Sequence, residues 1–350
     1  MYEIALKIIG NKKIVLCSLM IAGVILVSCS SQAVEVESTP GSLVIYSGRS
    51  ESLVQPIIDQ FATASGIEVE VKYGKTAEIA AVLMEEGNNS PADVFWAQDP
   101  GGLGAVAEAG MFAELPENVL SNVDSKFQSK SRDWVGVSGR ARVIVYNTAT
   151  IDPEKDLPSD LWGFVEPEWK GRLGWAPTNG SFQAMVTALR STWGEEKTKE
   201  WLVSIMANDV AVFPKNTPQV VAAAAGEIDV GFVNHYYLHR FIASEGENFQ
   251  ARNYFLPGGG PGSLVMVAGV GRIETGSNED NAVKFIEFLL SPVAQQYFAG
   301  QTYEYPLVEG VKIHRELTPI TDLPQVDIDL SDLVDLQGTV DLLTEVGVLE

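Results

Sequence analysis

Residues 43–97 read LVIYSGRSESLVQPIIDQFATASGIEVEVKYGKTAEIAAVLMEEGNNSPADVFWA, and their pattern decides the fold class. Leu43–Ser47 is a short apolar run that predicts a strand. In Leu53–Ala64 the apolar residues recur every three or four positions, the spacing of an amphipathic helix. Ile67, Val69, Val71 and Tyr73 then alternate with polar neighbours and predict a half-buried strand. Thr76–Glu86 returns to helical spacing, with Thr76 placed to cap it. Ala92–Ala97 is a buried strand, and Gly101–Ala109 another helix. Strand, helix, strand, helix, strand is the order of a parallel α/β sheet.

Further along, Trp134–Val137 and Arg142–Tyr146 predict two strands close together, placed to cross into a second lobe. Strands are expected there at Leu173–Ala176, Val210–Phe213 and Ile228–Val233, with a helix over Phe182–Arg190. Ser263–Val270 predicts a strand returning to the first lobe, followed by helices near Asn281–Leu290 and Pro292–Ala299. The expected architecture is an α/β clamp of two lobes with mixed, mostly parallel sheets and a hinge. One lobe comprises 43–140 with 260–350, the other 141–259. Ligands of such sheets bind beyond the carboxyl ends of strands, where helix N-termini point, so the cleft between lobes is the expected site.

Length agrees with two lobes, because 350 residues exceed one ordinary core. The 32 glycines and 17 prolines are dispersed, which suits many short connections rather than disorder. At the start of the chain, Lys7, Lys12 and Lys13 precede the apolar run Ile14–Val27, too short to favour a membrane span. Residues 1–28 therefore read as an export signal. Leu26-Val27-Ser28-Cys29 resembles a lipobox, with Cys29 the lipidated residue and 29–42 a tether to the membrane. Cys17 lies within the signal, so no thiol remains in the domain to pair or to hold metal. Without residues 1–28 the chain keeps 21 basic and 45 acidic side chains, a net charge of −24 that repels nucleic acid. An extracytoplasmic monomer is expected.

Asn234-His235-Tyr236-Tyr237 follows a strand and carries the most informative chemistry. A phenol is a poor ligand for most ions because it holds its proton to about pH 10. A hard trivalent cation displaces that proton, and anionic oxygen suits such an ion. Strand-end packing of aromatics is the plainer alternative. His235 and His239 are spaced to share a helix face, but a three-histidine metal site would need the distant His314 as well.

Tyr46-Ser47-Gly48-Arg49-Ser50 joins the first strand to the first helix, where backbone N–H groups and Arg49 suit an anion. Pro177-Thr178-Asn179-Gly180-Ser181-Phe182 repeats that design in the second lobe. Arg140 lies at the crossing, facing the cleft or a surface carboxylate. Gln98 and Asp99 end the third strand; either reaches the cleft, or Asp99 caps the next helix. No G-x-S-x-G elbow, cysteine nucleophile or phosphate loop is present, so no catalytic constellation emerges.

Leu43–Arg49, Pro91–Trp96, Ser138–Val143 and above all Asn234–Tyr237 together resemble the ferric-iron-binding proteins of bacterial ABC importers, in the periplasmic binding protein superfamily. The resemblance spans nearly all of 43–350. It implies Tyr236 and Tyr237 as phenolate ligands of Fe³⁺, and a permease as partner. It further implies that Asn179, Gly180 and Ser181, with Asn216 and Arg49, hold a synergistic anion such as carbonate or phosphate. Some members supply a histidine after the first strand and a glutamate after the third; here Ser50 and Gln98 stand in those places. A clamp of the same fold that carries a small organic or inorganic anion is the alternative.

Overall fold

Alternating strands and helices from Ser42 onward build one mixed sheet, seen in a computed structural model that describes residues 41–324 and 328–349. The signal segment, Cys29 and the tether as far as residue 40 lie outside the described residues. Strands β1 (Ser42–Ser47), β2 (Glu68–Tyr73) and β3 (Val94–Ala97) are linked by helices α1 (Glu51–Ser65) and α2 (Thr76–Glu86). β1 lies between β2 and β3 and pairs parallel with both. α3 (Pro100–Glu108) follows, its N-terminus capped by Asp99. Thr76 does not cap α2: Lys75 holds that position, and Thr76 is the first residue of the helix. The Thr76 hydroxyl instead accepts from the Gln98 N–H at 3.1 Å and so ties α2 to the end of β3.

A single turn, α4 (Glu117–Leu120), precedes β4 (Trp134–Asn147). Where two strands were expected, β4 is one strand of 14 residues, buried along its whole length. Polar Ser138, Gly139 and Arg140 break the apolar pattern but not the hydrogen bonding, because β4 has partners at both ends. Its first half pairs antiparallel with β9 (Val265–Arg272) through a bulge between Gly136 and Ser138. Its second half pairs with β7 (Val230–Asn234) and β8 (Ala251–Tyr254), also antiparallel.

Between β4 and β9 the chain adds β5 (Leu173–Trp175), α5 (Gly180–Trp193), α6 (Glu195–Ala207), β6 (Ala211–Val212), α7 (Asn216–Ala225) and, directly after β7, α8 (Tyr236–Glu245). After β9 come α9 (Glu279–Leu289), α10 (Pro292–Tyr297), β10 (Tyr305–Pro306) and α11 (Leu336–Glu345). The strand order is β2-β1-β3-β9-β4-β7-β5-β6. The expectation of a mostly parallel sheet holds for the outer strands and gives way around β4, where a long strand exchanges partners.

Apolar burial is divided between two main cores. Ile45, Phe95, Trp96, Val135, Val267 and Phe285 belong to one; Trp169, Trp175, Phe182, Trp201 and Phe232 belong to the other. The last segment joins them. Leu330 and Leu333 pack in the first core, while Leu342 and Leu343 on α11 pack in the second. Residues 260–350 were all expected in the first lobe; α11 departs because its apolar face meets α5, where the Thr187 and Thr339 hydroxyls bond at 2.7 Å.

Leu343 is fully buried. Leu343→Ala should therefore cost about 2–5 kcal/mol of unfolding free energy through lost transfer energy and the cavity left behind. Urea unfolding followed by tryptophan fluorescence measures it. A cost near zero would show that α11 is not part of the second core.

Candidate functional site

Strand β7 ends at Asn234, and helix α8 begins two residues later, so Tyr236 and Tyr237 open a helix instead of lining a turn. His235, between them and the strand, is fixed on every polar atom. Its N–H donates to the Ala141 carbonyl at 3.0 Å, and its carbonyl accepts from Asn253 Nδ2 at 2.8 Å. Nδ1 accepts from the Ala141 N–H at 3.1 Å, while Nε2 lies 2.8 Å from the Tyr303 carbonyl. A ring that accepts at Nδ1 and meets a carbonyl at Nε2 is the neutral Nε2–H tautomer. Burial pushes His235 down to about 3, and the neighbouring His239 adds to the effect. Both nitrogens are thus occupied in holding the start of α8, which leaves no lone pair for a metal. His239 stacks on Tyr303 instead, and among the described residues no group of three or more His, Cys, Asp or Glu side chains is placed to hold a metal ion.

The two tyrosine rings stack with centroids 4.2 Å apart. Tyr236 is fully buried and belongs to the first core, whereas Tyr237 is partly buried between cores. Burial, then the adjacent Tyr236 hydroxyl, push the Tyr237 phenol well above the usual range; Arg140 and the Asn216 side chain pull the other way. At neutral pH this phenol keeps its proton unless a cation of high charge density displaces it.

Three buried arginines surround the pair. Arg49 Nη2 donates to both oxygens of Glu304, at 2.9 and 2.7 Å. Burial opposes the Arg49 charge, but Glu304, followed by Tyr236, more than offsets it, and its pKa ends above the ordinary value. Arg140 Nη1 donates to Ser181 Oγ and Nη2 to the Val267 carbonyl, each at 3.3 Å. Arg142 Nη1 donates to Asn234 Oδ1 at 2.9 Å. Burial pushes Arg142 down to about 9, against the pull of both tyrosines, so it is still a cation at neutral pH. Nε of all three arginines, and Nη2 of Arg142, have no protein acceptor. Buried donors left over in this number suit an anion.

The start of α5 closes the other side. Asn179 Oδ1 caps the helix by accepting from the Ser181 N–H at 3.0 Å, and Asn216 Nδ2 donates to the same oxygen at 3.4 Å. Ser181 Oγ is approached by Gln98 Nε2 at 3.3 Å, Arg140 Nη1 at 3.3 Å and Asn234 Nδ2 at 3.1 Å. One hydroxyl therefore gathers donors from β3, β4 and β7. Asp99 Oδ1 accepts from the Gly102 N–H at 3.2 Å, and its buried Oδ2 has no partner. Burial pushes the Asp99 carboxyl up, against Arg140 and the amides of α3. A Cβ at residue 180 would come within 2.7 Å of Asp99 Oδ2, so only glycine lets α5 approach this carboxylate.

Tyr236, Tyr237, Arg49, Arg140, Asn179, Gly180, Ser181, Asn216, Gln98 and Asp99 thus form one connected cluster. Arg49, expected at an anion, spends Nη2 on a carboxylate that sequence reasoning missed. Arg142, Asn234 and Glu304 complete the cluster. Glu304 carried one signal: a lone acid between two tyrosines, Tyr303 and Tyr305. The open surface cavities, one beside Arg132 and Glu117 and one beside Arg190 and Glu345, are lined by other residues than these.

The family described as "Bacterial extracellular solute-binding protein" matches residues 56–325. The "Major ferric iron-binding protein" of Neisseria meningitidis serogroup B is 32% identical over 308 residues, 87% of this chain and 92% of that one. Iron-bound HitA from Pseudomonas aeruginosa superposes with a TM-score of 0.84 at 31% identity, over 88% of this chain and 100% of that one. A Trichodesmium protein (IdiA, FutA) in complex with iron and citrate superposes with a TM-score of 0.74 at 29% identity, over 88% and 99%. The mixed α/β architecture is accordingly that of the periplasmic-binding-protein clamp.

Since the folded pKa of His235 lies below the unfolded value of about 6.5, the unfolded chain takes up its proton first as pH falls. The stability contributed by neutral His235 is complete above about pH 6.5 and is lost as pH drops toward about 3, by up to about 1.4 kcal/mol per pH unit. Denaturant unfolding across that window should give a slope for His235→Gln shallower by one proton. Parallel slopes for variant and wild type would refute the buried neutral imidazole.

Proposed function

The chain belongs to the bacterial extracellular solute-binding protein family, and on that premise we propose that it captures ferric iron through Tyr236 and Tyr237 and delivers it to the permease of an ABC importer. It is an extracytoplasmic transport protein and not an enzyme. The observation that carries the iron reading is the stacked phenol pair, Tyr236 buried and Tyr237 half-buried, beside three buried guanidiniums. A hard trivalent ion is the cargo that takes both phenolic protons, and nearby cations favour the phenolates that result. An anion such as carbonate or phosphate completes the iron shell, held by Ser181, the start of α5, Asn216, Arg140 and Arg49. Gln98 and Asp99 approach from the end of β3. The names of the Neisseria and Pseudomonas relatives, and the iron and citrate of the Trichodesmium complex, support this reading.

In this reading residues 43–140 with 260–350 move as one lobe and 141–259 as the other, with α11 laid across from the first to the second. Donors to Ser181 come from both sides, so cargo and closure favour one another. Residues 1–28 direct export, and an acylated Cys29 with the tether 29–42 holds a monomer at the membrane. A second reading makes the anion itself the cargo; the unpartnered nitrogens of Arg49, Arg140 and Arg142 favour it.

Adding Fe³⁺ to metal-free protein should produce a red-purple band from phenolate-to-iron charge transfer. Tyr236→Phe and Tyr237→Phe should each weaken iron binding by more than about 100-fold, beyond what loss of an outer-shell partner does. A colourless wild type that binds phosphate tightly in metal-free calorimetry would replace the iron reading with the anion reading.

A further inference from the structure

Glu304 is the carboxylate set against two of the three arginines, Arg49 and Arg140, and nothing in the iron reading requires it to be there. It is fully buried, follows the left-handed residue Tyr303 (φ 59°), and accepts from Thr302 Oγ1 at 3.0 Å. Arg49 Nη2 grips both of its oxygens, at 2.9 and 2.7 Å, and Arg140 Nε lies 3.8 Å from Oε1. The segment that carries it is fixed independently. The Tyr303 carbonyl meets His235 Nε2 at 2.8 Å, and Tyr305 pairs with Gly139 of β4. Glu304 is therefore held in place by backbone and hydroxyl contacts, and its charge is turned on the arginines that also face the phenols.

We infer that Glu304 is a built-in counter-ion that sets the charge of the anion bound with the metal, so that the site takes a dianion in preference to a trianion. The inference rests on the iron reading, and the reason is charge balance in a buried place. Uncompensated buried charge costs several kcal/mol per ion, so the charges of the closed site must nearly cancel. Three guanidiniums and a trivalent ion stand against two phenolates, the carboxylate of Glu304 and that of Asp99, which Arg140 and the added ion favour in its ionised form although burial raises it. Two positive charges remain, which a dianion such as carbonate or hydrogen phosphate cancels. Without Glu304 three would remain, and a trianion such as citrate would fit better. Arg240 belongs to the exposed rim, where solvent screens it. Glu304 is thus a positioning and specificity residue that never touches the cargo.

The test is a competition at mildly alkaline pH. Iron-loaded protein is equilibrated with equal citrate and phosphate, and the bound anion is read by native mass spectrometry together with the position of the visible band. Wild type should retain phosphate. Glu304→Gln keeps the shape and one acceptor oxygen but drops the charge, and should shift the ratio at least about tenfold toward citrate. Glu304→Asp, which keeps the charge, should hold the wild-type preference. Arg49→Gln lowers the sum by one charge and should move the ratio further toward phosphate, so the rule is readable even if Glu304→Gln does not fold. An unchanged ratio in Glu304→Gln, or an equal shift in Glu304→Asp, overturns the inference. If the wild type gives no iron band, the iron reading fails separately. Metal-free calorimetry then decides: Glu304→Gln must still gain on citrate relative to phosphate, and equal gains on both refute the role of Glu304.

Discussion

Burying three guanidiniums beside two phenols is the constraint on which the site depends. Each arginine loses its hydration, and the single carboxylate of Glu304 meets only Arg49 closely. Arg142 is left with one neutral acceptor, Asn234, and its pKa falls accordingly. Such a cluster is stable only if its remaining donors find negative charge, because removing one partner of a buried pair costs about 3–5 kcal/mol. Phenolate is the negative charge that the protein itself can generate there, and a strongly Lewis-acidic cation makes it available at neutral pH. Cationic surroundings and a cationic cargo are therefore not in conflict. In the proposed reading the arginines would favour the deprotonated tyrosines, and the excess positive charge would draw in an anion.

The general architecture was legible because both lobes obey local rules. Alternation over Ile67–Tyr73 and helical spacing over Leu53–Ala64 and Thr76–Glu86 follow from which faces meet the core, and the observed elements agree within a few residues. The paired tyrosines stood out for chemical reasons, since anionic phenol oxygen suits a hard cation, although strand-end packing was the plainer reading. What was not legible depends on partners distant in sequence. Ser138-Gly139-Arg140 looks like a break between two strands, yet β4 runs through it, because β9 and β10 supply its hydrogen bonds. Thr76 has the chemistry of a cap, but a hydroxyl close to the end of β3 is better used in fixing Gln98. Glu304 is joined to the site by a contact across 255 positions, and His235, although it stands beside Tyr236, takes its role from Ala141, Asn253 and Tyr303, so no window along the chain reveals either role.

The same contacts explain how a helix start can be held accurately enough to present two phenols. Residues at the first turn of a helix lack intrahelical partners for their N–H groups and tend to fray. In α8 that tendency is opposed from outside. His235 is gripped by β4 through Ala141, by β8 through Asn253 and by the Tyr303 carbonyl. Of these contacts, the one to Tyr303 also joins the phenol-bearing helix to the segment that carries Glu304. The phenols and Glu304 consequently share a backbone frame.

Ser181 gives closure its chemical sense. Its hydroxyl can donate one hydrogen bond and accept two, yet it is approached by amide or guanidinium donors from Gln98, Arg140 and Asn234. Three donors converging on one oxygen over-supply it, while the arginines nearby keep nitrogens without acceptors. An anion at this point accepts what Ser181 cannot. Because Gln98 ends a strand of the first core and Ser181 opens a helix of the second, that anion would bond to both at once. In the proposed reading, opening the cleft would separate those donors, so the anion would bind tightly only to the closed form. The iron that the anion would help to coordinate would be retained in that form as well. Retention of cargo and closure of the clamp would in this way be a single equilibrium, biased by how well the charge of one small anion matches the arginines and the glutamate around it.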